Sequence, residues 1–588
     1  MLVPGLGLEA MLRVGVVLAL LLALAVVVAL DRPGGRWVAR ARSRLLLGVP
    51  WGTLASATLV LLVYGVLQGG FERWHDPLVV PFYSWSYFAP VGVALAAFSH
   101  QGAGHLTGNL LGTLVLGSLA ESAWSHYPRT RGATSFASWR TNPYVRAFVA
   151  FPAGVLVAGL LTSAFHWGPM VGFSGVVYAF AGFAIVRYPV GTLLAVLAER
   201  LVDLTYDAWR SPIADVEASS QFVTPWFVDI AVQGHLLGFL LGALLGLVLV
   251  VHRRERVSRP SALRVAGATA AFGTLLSPLW AVWYIRGADS YVLHRAAGLG
   301  MILTLGALIA VAVRATDRPL RGARGERGAG GTGSGGSDGD GSAPVPSGAD
   351  RSGESPLPTR RTVATLALCL PLLVMAVVAV PVNATTVDGP PAVDGAVTVR
   401  DYTVTYAEGV TRPKTTIFDG TVLEETVLGE STRVVTGGVI VTSDAREVWL
   451  RAVSPGRLAH SGRVSVSVGG IGWRERVGVR RVGWSLLRGG STYRVDLRPP
   501  DGAFRTVFAS GPATAGVVLA NRNVTVRPAT GGFTVVVTRA NQTLGTAPIP
   551  APGDAVTVGG IRFQRTDGTL RAAVDGTRVP VAERSGRD

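Results

Sequence analysis

Lysine is nearly absent from these 588 residues, Lys414 being the only one, so the formal net charge of +17 rests on arginine. Cysteine is equally scarce. Cys369 stands alone, which excludes an intramolecular disulfide and leaves any exterior portion to hold together by packing. The long apolar runs carry essentially no Asp or Glu at mid-depth, which excludes a paired-aspartate intramembrane site. No histidine begins a His-Glu-x-x-His pattern, so a zinc peptidase of that type is excluded as well. An inverted repeat of interrupted, charge-bearing spans, the mark of many transporters, is not visible either. Neither a metal nor another cofactor is called for. The arginines do not form the patch on a soluble face that a nucleic-acid binder requires, because many fall between apolar runs.

Those apolar runs dominate what is present. With a mean hydropathy of +0.40 the chain reads as an integral membrane protein in contact with a lipid bilayer. About ten candidate spans are legible, near 12–30, 52–69, 104–122, 145–165, 172–188, 190–205, 227–251, 264–284, 292–314 and 362–382. The run at 190–205 is the shortest and carries Glu199 and Arg200. The first is read as a span rather than a signal peptide, because Arg13 is the only basic side chain before the run Val14–Leu30 and another apolar stretch follows one short basic loop. Arg32, Arg36, Arg40, Arg42 and Arg44 follow the first span, Arg129, Arg131, Arg140 and Arg146 the third, and Arg253, Arg254, Arg256, Arg259 and Arg264 the seventh. Their alternation predicts a cell-membrane protein with its N-terminus and C-terminal domain outside.

The organisation expected along the chain is an extra N-terminal span and basic loop (1–50), a helical core (51–252), two further spans (253–315), a Gly/Ser-rich linker without a core (316–361), a final span (362–384) and an exterior region (385–588). The fold class is therefore an all-α polytopic membrane protein with a C-terminal all-β exterior domain. Alternating Val/Thr runs at Ala396–Tyr406, Arg433–Ser443, Arg463–Val468 and Gly532–Thr538, with Asp567-Gly568 and Asp575-Gly576 as tight turns, carry the β assignment. Its length suits one sandwich or two small modules. Asn383, Asn523 and Asn541 head glycosylation sequons on the expected outer side. The exterior domain carries no catalytic constellation, and its partner is unknown.

Three apolar segments carry chemistry. Gly172-Phe173-Ser174-Gly175 places a serine at membrane depth, where a hydroxyl has either a packing use or a chemical one. His100, His105 and Asn109 lie on a second segment and His235 on a third, and an intramembrane histidine points to function. Gly234, Gly238, Gly242 and Gly246 recur every four residues, and Gly172, Gly175 and Gly182 provide small residues on the serine segment. Two helices that touch along such stripes can bring a serine Oγ to an imidazole, which would remove its proton. No third carboxylate is in sight, so the pair would be a dyad. Tyr178, four residues after Ser174, shares its face and is placed to stack on His235. His105 and Asn109 are spaced i, i+4, and with the Ser174 N–H they could donate to an oxyanion; His100 could serve the same polar pocket.

The pattern His-x4-His-x3-Asn, then Gly-x-Ser-Gly with Tyr178 four residues after Ser174, then His235-x2-Gly238-x3-Gly242, resembles the rhomboid intramembrane serine proteases. The resemblance covers roughly residues 50–252, and Glu121 matches an acidic position of the family's second core helix. It implies a six-helix core, a Ser174–His235 dyad opening toward the outer face, and transmembrane protein substrates cut near that face. The family's usual Trp-Arg pair in the first external loop is reversed here, as Arg73-Trp74. The aromatics of that loop, Trp74, Phe82, Tyr83, Trp85, Tyr87 and Phe88, suit an interfacial belt. Phe222–Phe227, leading into the histidine segment, is the expected substrate gate. The rival expectation is a silent relative that binds membrane clients without cutting them; such a protein would usually lack the serine or the histidine.

Overall fold

The computed structural model describes the chain except for residues 1–6, 32–33, 126–132, 214–224, 229, 253–258, 288–289, 316–358, 388–393, 412–434 and 586–588. Helices dominate as far as Asn383 and strands thereafter. Among the described residues five helices are long and apolar enough to cross a membrane: Leu8–Leu30, Pro143–Ala164, Val232–His252, Arg295–Arg314 and Arg360–Asn383. Three shorter apolar helices join them, Trp51–Leu67, Ser174–Ile185 and Ala262–Leu276. The chain is an integral membrane protein. The run expected at 190–205 lies within a 22-residue helix, Pro189–Arg210. The run expected at 264–284 is shorter than the hydropathy suggested. Ser277 precedes a proline, which disfavours helical backbone, and it is extended at φ −143°, ψ 148°. The helix therefore stops at Leu276, and an unforeseen hairpin, Trp283–Gly287 with Ser290–Leu293, follows.

The core of the helical region is a pair of parallel helices in backbone contact, Ser174–Ile185 and Val232–His252. A Cβ on Gly238 would lie 1.9 Å from Gly175 O, one on Gly242 1.9 Å from Ala179 O, and one on Gly182 2.0 Å from Phe239 O. Only glycine at these positions allows this approach, which is how small residues let membrane helices pack without a hydrophobic driving force. Phe173, Val176, Ile185, Phe239 and Leu240 fill the space around the seam and are essentially inaccessible. Glu121, fully buried, accepts hydrogen bonds from the backbone N–H groups of Gly52 (3.0 Å) and Thr53 (2.7 Å) and from Thr53 Oγ1 (2.7 Å). Those donors belong to the first turn of the helix Trp51–Leu62, which has no partners of its own for them.

Beyond Asn383 the described residues build three antiparallel sheets over two cores. Strands Val397–Val399, Tyr402–Thr411, Val435–Ser443 and Val448–Val453 form one. An eight-stranded sheet reaches across both cores, and Ala513–Leu519, Arg522–Ala529, Gly532–Arg539 and Gln542–Pro548 form a meander against the second. Asp567-Gly568 and Asp575-Gly576 are the hairpin turns that their residue types demand, with Asp567 at φ 50° and Asp575 at φ 47°.

Two expectations fail here for identifiable reasons. Asn383 cannot carry a glycan, because its side chain is buried and its Nδ2 donates to His166 O (2.8 Å) and Ala164 O (3.2 Å). Nor do all the aromatics of loop 70–100 form an interfacial belt: Phe82 and Trp85 are buried, and Trp85 joins the first core of the β region. Phe88 and Trp74 keep outward faces.

Candidate active site

Ser174 is the first residue of its helix, and the turn before it depends on glycine. Gly172 sits at φ 133°, where side chains are disfavoured, and a Cβ there would lie 2.6 Å from His105 Cε1. The His105 ring thus packs directly on the backbone that leads into Ser174. The turn is also pinned by Gly172 N–H donating to Ala96 O at 2.9 Å.

His235 is the fourth residue of the neighbouring helix, and its Nε2 stands 2.8 Å from Ser174 Oγ. Tyr178 stacks flat on the imidazole, with ring centroids 4.2 Å apart and planes 9° from parallel. Tyr178 is itself braced edge-on by Phe272 at 5.7 Å, from the helix that follows the core. His235 Nδ1 is buried without a hydrogen-bond partner among the described residues, so orientation of the ring falls to stacking and packing. Because the two helices are parallel, both N-termini converge on the Ser174–His235 pair. Unpaired first-turn N–H groups and the positive ends of the helix dipoles favour negative charge at that spot.

The second polar set lies on the helix Ala103–Gly112 and the segment before it. His100 Nε2 is 3.0 Å from Asn109 Nδ2, and His100 meets the His105 ring edge-on at 5.1 Å. His105 therefore joins the two sets, touching Gly172 on one side and His100 on the other. Of the sequence candidates, Ser174, His235 and Tyr178 come into direct contact, Gly172, Gly175 and Gly238 provide the close approach, and Asn109 faces His100. Within the proposed gate, residues 222–224 lie outside the described residues. Trp226 rests 5.7 Å from the Trp280 ring, and Phe227 6.1 Å from Trp283.

Two residues at the site escaped sequence reasoning. Gln68 is buried at the end of an apolar run, donating through Nε2 to His100 O and Leu78 O and accepting from His100 N–H, each at 2.8 Å. A lone amide in such a run was the signal available. His166 is the second: its ring packs on Gly234, beside His235, and a Cβ on Gly234 would lie 2.7 Å from His166 Cδ2.

Among the described residues no three His, Cys, Asp or Glu side chains stand together in a way that could hold a metal ion. An apolar cavity of about 460 Å3, lined by Trp124, Phe151, Phe180, Val248 and His252, lies toward the C-terminal ends of the two helices and is lined by none of the polar side chains named above. A serine hydroxyl bonded to an imidazole, at the meeting of two helix N-termini, is an arrangement suited to acyl transfer. Residues 85–252 match the family model of the Rhomboid domain. No curated protein and no solved structure matches the chain.

Proposed function

From the premise that this is a rhomboid-family protein, its Rhomboid domain spanning residues 85–252, we propose that it is an intramembrane serine endopeptidase acting on transmembrane segments of client proteins. The observation that carries the reading is the 2.8 Å contact between Ser174 Oγ and His235 Nε2 under the Tyr178 ring. In the proposed reaction His235 Nε2 takes the hydroxyl proton as Oγ attacks the carbonyl carbon of the scissile bond. The oxygen of the tetrahedral intermediate draws on the Ser174 N–H, His105 and Asn109. When the C–N bond breaks, His235 returns the proton to the leaving amine and the acyl group stays on Ser174. Water, deprotonated by the same imidazole, then attacks the ester and frees the serine. With no carboxylate bonded to it among the described residues, His235 is oriented by the Tyr178 ring and by packing, which makes this a dyad.

Substrate would enter laterally, past Phe222–Phe227, and be cut near the outer face, where a client helix can unwind and water is at hand. The N-terminus and the C-terminal region would both lie outside a cell membrane. A silent relative that holds clients without cutting them is the alternative, and the intact serine–histidine contact weighs against it. Co-reconstitution in liposomes with a panel of single-span segments tests the choice. Endoproteolysis by the wild type that disappears in Ser174→Ala supports the peptidase. Capture of the same segments with no cleavage, equal in both proteins, would establish the alternative.

A further inference from the structure

The exterior β region does not hang from its span. Residues 76–87 of the first external loop are built into it. Val80 and Trp85 belong to the same buried cluster as Val397, Tyr402, Val466 and Leu497. Leu78 is buried, and a Cβ on Gly469 would lie 3.0 Å from its Cδ1, so its side chain packs on the strand Arg463–Gly470. Asp76 pairs with Arg474 (2.6 Å) and Arg476 (2.5 Å) of the strand Trp473–Leu486, and Arg474 also donates to Asp76 O. Nearer the membrane, Ser86 Oγ donates to Asn383 O and Thr385 O, and Tyr87 N–H to Asn383 O.

The same loop is tied to the polar residues beside Ser174. Leu78 N–H donates to Gln68 O at 2.8 Å, and Leu78 O accepts from Gln68 Nε2. Gln68 in turn holds both backbone groups of His100, whose ring meets Asn109 and His105. A continuous set of contacts thus runs from exterior strands through Leu78 and Gln68 to the histidine segment.

We propose that the exterior domain is a positioning part of the catalytic unit: by clasping residues 76–87 it fixes Gln68, and through Gln68 it holds His100, His105 and Asn109 in register with Ser174. The proposal rests on the peptidase reading for its consequence, since what is positioned is the oxyanion side of that site. The domain would then be required for turnover of every client, in contrast to an adaptor needed for some.

The test uses the full chain. Asp76→Arg sets three positive groups together at an exposed edge and leaves both cores intact. The compensating triple variant Asp76→Arg, Arg474→Asp, Arg476→Asp restores opposite charges, and Val80→Glu with its conservative partner Val80→Ile probes the apolar part. Hydrogen exchange of the His100 amide, bonded to Gln68 Oε1, reports the coupling without requiring activity, and the rate of fluorophosphonate labelling at Ser174 reports its consequence. We expect Asp76→Arg to speed His100 exchange and slow labelling, each about tenfold, with recovery of both in the triple variant. Val80→Glu should act in the same direction more strongly and Val80→Ile not at all. If loop amides 76–87 lose protection while His100 exchange and labelling stay as in wild type, the proposal is overturned. Should Val80→Glu not fold, the Asp76 set decides alone. Should wild type fail to label, the peptidase reading fails, and unchanged His100 exchange in Asp76→Arg would separately refute the coupling.

Discussion

Replacing Gly238 with alanine puts a methyl group where the structure has no room. Its Cβ would stand 1.9 Å from Gly175 O, while ordinary contact begins near 3.4 Å. The obstacle is a backbone carbonyl, which cannot rotate aside as a long side chain would. The two helices must therefore separate or slide by about 1.5 Å, the shortfall between those distances. Gly238 is three residues from His235 and on the same face, and Gly175 is next to Ser174, so the displacement falls directly on the reacting pair. An Oγ–Nε2 distance of 2.8 Å would open to roughly 4 Å, beyond hydrogen-bond reach. Misplacement of that size costs on the order of a hundredfold in rate. Fluorophosphonate labelling of Ser174, timed in detergent, is the assay. Gly154→Ala is the control, since nothing lies within 4 Å of the Cβ it adds. Gly238→Ala labelling at the wild-type rate, in protein of unchanged thermal stability, would refute the claim that close backbone contact sets the geometry.

Other outcomes follow from the same contacts. Tyr178→Leu should slow labelling by roughly fivefold to tenfold while Tyr178→Phe retains most of the rate, because a stacked ring contributes about 0.5–1.5 kcal/mol beyond its buried area; equal rates for Leu and wild type would remove Tyr178 from the site. Glu121→Ala should lower stability by on the order of 2–4 kcal/mol, read as the shift in a denaturation midpoint, since it strands two buried N–H groups and a hydroxyl. Acid should loosen the clasp between residues 76–87 and the β region. Burial alone would raise the Asp76 carboxyl, but hydrogen bonds and charge from Arg474 and Arg476 outweigh it and hold the group below its ordinary 3.8. A depressed carboxylate stabilises the docked form at neutral pH and loses that contribution as pH falls through its folded value. Exchange of amides 76–87 should therefore rise below about pH 4 in wild type and show no such step in Asp76→Asn.

The contacts of the candidate site were legible in the sequence because its residues obey short-range rules. Ser174 and Tyr178 share a face by i, i+4 spacing, and the glycines at four-residue intervals already implied a backbone seam. The turn into Ser174 was marked by Gly172, though its reason, the His105 ring lying against it, is tertiary. Gln68 was missed since its partners, Leu78 and His100, come from two different segments, and a single amide in an apolar run has no periodicity to betray it. The embedding of Trp85 and Val80 in the first core of the β region was beyond reach for a related reason. A tryptophan near a span end reads as an interface anchor by composition, and only the strands some three hundred residues later reveal what it packs on. The false extension of the helix past Leu276 shows the limit of hydropathy alone, which outvoted the stop signal of Ser277-Pro278.

The measurement that bears most directly on the central claim is fluorophosphonate labelling of the purified full chain, with Ser174→Ala and His235→Ala beside it. The account expects one adduct, on Ser174, absent from Ser174→Ala and slowed at least a hundredfold in His235→Ala. Equal labelling of Ser174→Ala, or no labelling of folded wild type, would contradict it.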